Sequence, residues 1–276
     1  MDWWWERFDS VVREWIRNDP ESRDTWVAAV RVNDWRALQA MANRGQIAEN
    51  ANKRMAVWEA LTYQRGHVNA FLTVLRKRIR TIAADHKTRS IGIVDLGCGA
   101  GTVAFAFVEA FNSRTTFHYV GQDHNRPSRE LCRDMLVAGV SPRGGTAKVV
   151  KRLAKAFDYA IDEMPPVDRL FVTSSYLLCQ ESMTPAATKS IAAQIERLVA
   201  ARGAVRLVIA DAPLSRSHAP LLVSTLERSN SVTVDDELRW SDTYSYMNQF
   251  PAMKGSKWRD QRPGTVEGHY LVIKRP

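Results

Sequence analysis

The stretch Ile91-Gly92-Ile93-Val94-Asp95-Leu96-Gly97-Cys98-Gly99-Ala100-Gly101-Thr102 decides the fold. An apolar, β-branched run ends in an acid and opens onto three glycines at alternate positions, which predicts a buried strand, a tight turn and the start of a helix. Glycines at such a turn permit positive φ and let a ligand approach the main chain without meeting a Cβ. In an open α/β sheet, this first strand-to-helix turn lies at the carboxyl edge where ligands bind.

Working outward, the grammar after residue 90 is β-α alternation. Phe117–Gly121, Ala147–Val150, Arg169–Thr173 and Val205–Ala210 are expected strands, and Pro127–Ala138, Pro185–Ala201 and Ser217–Arg228 expected helices. Ser231–Leu238 and His269–Lys274 close the pattern as two further strands, flanking an aromatic, basic and irregular insertion over 240–267. Seven strands with crossover helices predict a doubly wound, Rossmann-like α/β sheet. Residues 1–88 read as an all-helical domain, because Trp4, Phe8, Val11, Val12 and Trp15 recur at helical spacing and no alternating pattern intervenes. Residues 89–276 form the second domain.

The glycine run has D-L-G-C-G-A-G-T spacing, not the G-x-G-x-x-G of a pyrophosphate loop, and an acid two residues ahead suits a cationic or donor-rich ligand. A further acid, Asp123, ends the second strand about twenty residues on, where a ribose diol would be held. Together, "VDLGCGAGT" and "FHYVGQDHN" resemble the class I S-adenosylmethionine-dependent methyltransferases. That resemblance implies S-adenosyl-L-methionine as cofactor. Asp95, Gly97, Cys98, Gly99 and Gly101 would line its methionine and ribose, Asp123 would hold the ribose hydroxyls, and His124 would lie near the adenine. Thr173 joins this set, and Tyr63, Arg65 and His67 lie where the family closes its cofactor pocket with N-terminal residues, Arg65 toward the cofactor carboxylate. No acid directly follows the third strand, which leaves Asp158 and Asp162 as candidates for the adenine amino group.

At the end of the fourth strand stands Thr173-Ser174-Ser175-Tyr176, where amino-methylating DNA enzymes carry Asn/Asp-Pro-Pro-Tyr/Phe. Ser174, Ser175 and Tyr176 are the candidate catalytic residues, and the departure from that motif argues against exocyclic amino chemistry on DNA. Methyl transfer from a sulfonium is an in-line displacement that needs mainly positioning, so no strong base need be visible. Cys98 and Cys179 are poor nucleophile candidates, the first sitting in the cofactor loop and the second in an apolar setting. The three cysteines form no metal-ligand or disulfide pattern, so no metal is expected.

The acceptor is less constrained. A formal net charge of +9 favours a polyanionic partner, RNA or the ribosome. Arg76, Lys77, Arg78 and Arg80 form a basic cluster before the first strand, and Tyr244, Tyr246 and Trp258 are interleaved with cations in the insertion. Tyr63 to Asp211 also resembles, more loosely, the methyltransferase-like assembly factors of the small ribosomal subunit. The same features fit a small-molecule methyltransferase with the N-terminal helices and the 240–267 segment as lid. A noncatalytic assembly partner that keeps the cofactor fold is a third reading. Trp3, Trp4 and Trp5 are candidates for helix packing or oligomer contacts. The sequence contains neither a membrane-spanning run nor a secretion-signal layout at its start, so a soluble, cytoplasmic protein is the expectation.

Overall fold

A computed structural model describes residues 10–11, 14–15, 17–18, 56, 60, 66–76, 88–111, 114–139, 145–178, 180, 183–213, 217–247 and 261–276. Seven strands form one sheet in the order β3-β2-β1-β4-β5-β7-β6. These are β1 (Ser90–Leu96), β2 (Thr116–Gln122), β3 (Thr146–Val150), β4 (Arg169–Ser175), β5 (Ala204–Asp211), β6 (Thr233–Met247) and β7 (Gln261–Lys274). The first five are parallel, and β7 is inserted antiparallel between β5 and β6. Strand order reverses at β1, between β2 and β4, so the glycine turn sits at the switch point. This is the doubly wound sheet expected from the sequence.

The helices are α1 (described over 66–76), α2 (Thr102–Ala110), α3 (Arg126–Gly139), α4 (Leu153–Asp158), α5 (Pro185–Arg202) and α6 (Ala219–Glu227). Strand periodicity sorts them into two layers. Ile91, Ile93, Phe171 and Val208 face one side, where α1, α2 and α3 pack. Val94, Leu96, Val172 and Ile209 face the other, under α4, α5 and α6. Both faces are covered, which is why the central strands are apolar runs without alternation. Helix α2 is buried from Thr102 through Val108, so its sequence TVAFAFV is apolar all round. Helix α5 begins where its sequence signals a start, with the Thr184 side chain accepting from the Ala187 N–H (3.1 Å) and Pro185 in the first turn.

Of the helical domain expected over 1–88, the described positions up to residue 76 are helical apart from a turn at Asn18. Val11, Ala56, Ala60 and the Val68–Leu75 side of α1 share one core with the sheet. Trp15 Nε1 also donates to Asp134 on α3 (2.8 Å).

The irregular insertion expected over 240–267 is different in the structure. Residues 240–247 and 261–267 continue β6 and β7 in unbroken antiparallel register, Trp240 opposite Gly268 and Met247 opposite Gln261. Because β5 stops at Asp211, opposite Glu267, the pairs from Asp242–Val266 outward form a two-stranded ribbon beyond the carboxyl end of β5. The sequence hid this because the β7 half, Gln-Arg-Pro-Gly-Thr over 261–265, carries no hydrophobic alternation. Gly268 lets it close: a Cβ there would lie 2.5 Å from the Trp240 indole.

Candidate functional site

The turn after β1 is built on three left-handed glycines, Gly97 (φ 66°), Gly99 (φ 49°) and Gly101 (φ 84°). The Cys98 N–H donates to the Gln122 carbonyl (2.9 Å) and the Gly101 N–H to the Cys98 carbonyl (2.8 Å), which moors the loop to the end of β2. A Cβ on Gly99 would meet no atom within 4 Å, so open space lies beside this bare backbone. A Cβ on Gly97 would lie 2.9 Å from Leu177, which places the residues after β4 against the same loop.

Asp123 closes the site from the β2 side. Its Oδ2 accepts from the Gly99 N–H (3.1 Å) and its Oδ1 from the Asn125 N–H (2.8 Å), with only 9% of the residue exposed. Arg129 Nη1 holds the backbone here by donating to the carbonyls of Asp123 (2.9 Å) and His124 (2.8 Å). The His124 side chain is 85% exposed.

Asp95 has a different position from the one its spacing suggests. It is buried in the sheet, Oδ2 accepting from Tyr119 Oη (2.6 Å) and Oδ1 from Thr173 Oγ1 (3.1 Å). The carboxylate that receives a loop amide is Asp123, not Asp95. Tyr119 was not singled out by sequence; it stands opposite Ile93 on the neighbouring strand, two residues from Asp95's register and on the same face. Burial raises the Asp95 pKa to about 7 against the two hydroxyl hydrogen bonds, and the nearby Asp123 charge adds to the rise. The folded chain thus holds this proton while the unfolded chain releases it near 3.8. Full stability is present below the unfolded value and is lost as pH rises toward 7, by up to about 1.4 kcal/mol per pH unit. Asp95→Asn is expected to flatten that slope, read as urea midpoints of both proteins from pH 4 to 8.

Cys98 packs behind the loop. Its Sγ would be 2.9 Å from a Cβ on Gly121, and a hydrogen bond with the buried Cys132 thiol, then burial, hold its pKa well above the usual thiol value. This thiol is no nucleophile.

At the end of β4, Thr173 and Ser175 share the sheet face of Asp95, and Ser174 points to the other. The Oγ atoms of Ser174 and Ser175 are buried with no hydrogen-bond partner among the described residues. Tyr176 has φ 57°, the sole non-glycine positive value among the described residues, and its N–H donates to the Ala210 carbonyl (2.8 Å). Its ring stacks on His67 of α1, centroids 3.9 Å apart and 11° from parallel. The stack brings His67 to the same edge.

The remaining candidates lie elsewhere or outside the described residues. Asp158 is ion-paired with Arg197, which holds its carboxyl below the usual range, and with Lys155 (3.6 Å). With Asp162 it lines a surface cleft of about 490 Å³ beyond β3, together with Lys148, Lys151, Arg152 and Glu163. Arg76 is exposed at the last described position of α1. Tyr244 and Tyr246 occupy ribbon positions opposite Gly264 and Arg262, with side chains outside the described set. Arg65, Lys77, Arg78, Arg80, Trp258 and Cys179 fall outside it as well. Among the described residues there is no cluster of His, Cys, Asp or Glu that would hold a metal, and no helix long and apolar enough to cross a membrane.

No family model matches the sequence, and no curated protein does. Solved structures are similar at low identity. A putative rRNA methylase from Clostridium thermocellum has TM-score 0.43 and 14% identity, covering 73% of this chain and 95% of its own. Precorrin-6y C5,15-methyltransferase from Geobacter metallireducens has TM-score 0.42 and 15% identity, covering 72% and 87%. The O-methyltransferase TomG from Streptomyces achromogenes, in complex with SAM, has TM-score 0.40 and 15% identity, covering 76% and 90%.

Proposed function

We propose that this chain binds S-adenosylmethionine at the Gly97–Gly101 turn and transfers its methyl group to RNA or a ribonucleoprotein. The observation that carries the donor half is Asp123 bonded to the Gly99 amide, beside a left-handed glycine turn with open space over Gly99. A carboxylate fixed at the end of β2 is placed to accept from two vicinal hydroxyls, and bare amides can approach a nucleoside closely. The residues present therefore fit the donor. When bound, it supplies an electrophilic methyl on a sulfonium, and the chain's task is positioning. Asp123 orients the ribose; Asp95, fastened to Tyr119 and Thr173, sets the pitch of β1 against its neighbours and hence of the turn. Ser175 and Tyr176, one strand away, stand on the acceptor side.

The acceptor half is supported by the net charge of +9, which favours a polyphosphate over a neutral metabolite. Calorimetric titration with S-adenosylmethionine and with S-adenosylhomocysteine tests the donor, micromolar binding of both being expected and binding of neither refuting it. For the acceptor, log K for RNA is expected to fall linearly with log salt concentration, and a flat line refutes RNA.

A further inference from the structure

The cleft beyond β3 holds charges that the donor site does not use. Two of its lining residues are tied to that site by main chain, the Asp123 N–H donating to the Val150 carbonyl (3.2 Å) and Gln122 Nε2 to the Lys151 carbonyl (3.2 Å). None of the donor-turn residues lines it, and at about 490 Å³ it falls within the size range of small-ligand sites, roughly 300–1,000 Å³. Its charges are sorted. Lys151 and Arg152, consecutive and exposed just past β3, have no acidic partner among the described residues, while Lys155 shares Asp158 with Arg197. The acids gather about 10 Å back along the strand, where Glu163 pairs with Lys148 (3.0 Å). There a π-helical turn over Tyr159–Glu163, closed by the Met164 N–H on the Tyr159 carbonyl (2.8 Å), brings Asp162 and Glu163 to the cleft. Arg202 pins this turn by donating to the carbonyls of Ile161 (2.9 Å) and Met164 (2.6 Å). Such turns are rare and collect at functional sites. With Glu163 engaged, Asp162 is left with no ionic or hydrogen-bond partner among the described residues.

We propose that this cleft takes one nucleotide of an RNA strand, the phosphates on either side of it held by Lys151 and Arg152 and the amino edge of its base by Asp162. This rests on the RNA reading above and names what anchors the strand. Arg152 has extended backbone, in which consecutive side chains point opposite ways, so the two cations reach different phosphates. A carboxylate accepts and cannot donate; it takes the amino hydrogens of cytosine and repels the carbonyl that uracil presents in the same place. β3 lies three strand spacings from β4, about 14 Å, so the nucleotide held here flanks the one that is methylated.

The probes are fluorescein-labelled oligo(C) and oligo(U) RNA of equal length, titrated into the full chain by anisotropy at several salt concentrations. Wild type is expected to bind oligo(C) about threefold to tenfold more tightly than oligo(U). Lys151→Ala combined with Arg152→Ala is expected to weaken both by about tenfold to thirtyfold at ~0.1 M salt and to reduce the slope of log K on log salt by about 1.4, the release from two single-strand phosphate contacts. Asp162→Ala is expected to erase the preference for cytosine and keep the slope. Lys189→Ala combined with Arg228→Ala, two exposed cations outside the cleft, is expected to leave both affinities unchanged. Equal loss in the two double variants overturns the proposal as general charge attraction, and so does equal affinity of the wild type for the two homopolymers. Weakened S-adenosylhomocysteine binding in the Lys151, Arg152 variant overturns it too, by giving the cleft to the donor's own nucleoside. Wild type that binds neither oligonucleotide refutes the RNA reading itself, whereas unaltered binding in that variant refutes only the cleft.

Discussion

Asp123→Ala is expected to weaken S-adenosylhomocysteine binding by about a hundredfold or more in calorimetric titration, in a chain that is destabilised yet still folded. The carboxylate makes two backbone hydrogen bonds, to Gly99 and Asn125, from a nearly buried position. Hydrogen bonds to a charged group contribute about 1.5–3 kcal/mol each, and about 1.4 kcal/mol is tenfold in affinity. Two ribose hydroxyls lost together with the Gly99 anchor therefore predict at least two decades. The loop keeps its ties through Cys98 and Gly101, which do not involve the Asp123 side chain, so the fold survives. Asp123→Asn separates the two roles, because it keeps an acceptor for the Gly99 amide while losing the charge. An intermediate loss is expected from it. Unchanged affinity in Asp123→Ala would remove the observation on which the donor reading stands.

The largest stability effect is expected from Phe107→Ala, about 3–5 kcal/mol by urea unfolding. Phe107 lies on the wholly buried α2 and has no exposed surface. Its ring meets Phe71 of α1 (6.2 Å), Phe111 (5.7 Å, parallel) and Phe171 of β4 (5.0 Å, edge-on). One side chain thus joins the helix that carries His67 to the strand that carries Ser175. Its removal leaves a cavity between two elements that both reach the site, and the cost depends on how far they collapse. A second readout follows from this position: His67 is expected to lose its registry on Tyr176 before the glycine loop is disturbed, since the loop is fastened to β2. A loss below about 1 kcal/mol would show that α1 is held to the sheet elsewhere.

The contrast between these two residues marks how much was legible beforehand. Strand β1, the glycine turn and Asp123 were readable because each depends on local chemistry: an apolar run, backbone that must adopt positive φ, and an acid at a fixed distance along the chain. The same locality recovered the Thr184 cap, Pro185 and the β-α order, hence the sheet. The ribbon beyond β5 reads as irregular in sequence because its β7 half, Gln-Arg-Pro-Gly-Thr over 261–265, carries no apolar alternation, and pairing itself leaves no trace in composition.

What the sequence determined by itself was the sheet, its switch point and the glycine turn, since periodicity and glycine spacing are properties of neighbours along the chain. Only the tertiary structure decided which acid serves the loop. Asp95 and Asp123 both stand at the carboxyl ends of neighbouring strands, yet burial between Tyr119 and Thr173 turns one inward and leaves the other at the loop amide. Only it, too, brought His67 onto Tyr176, 109 positions apart, because a helix packed across the sheet edge has no obligation to announce its contacts in sequence.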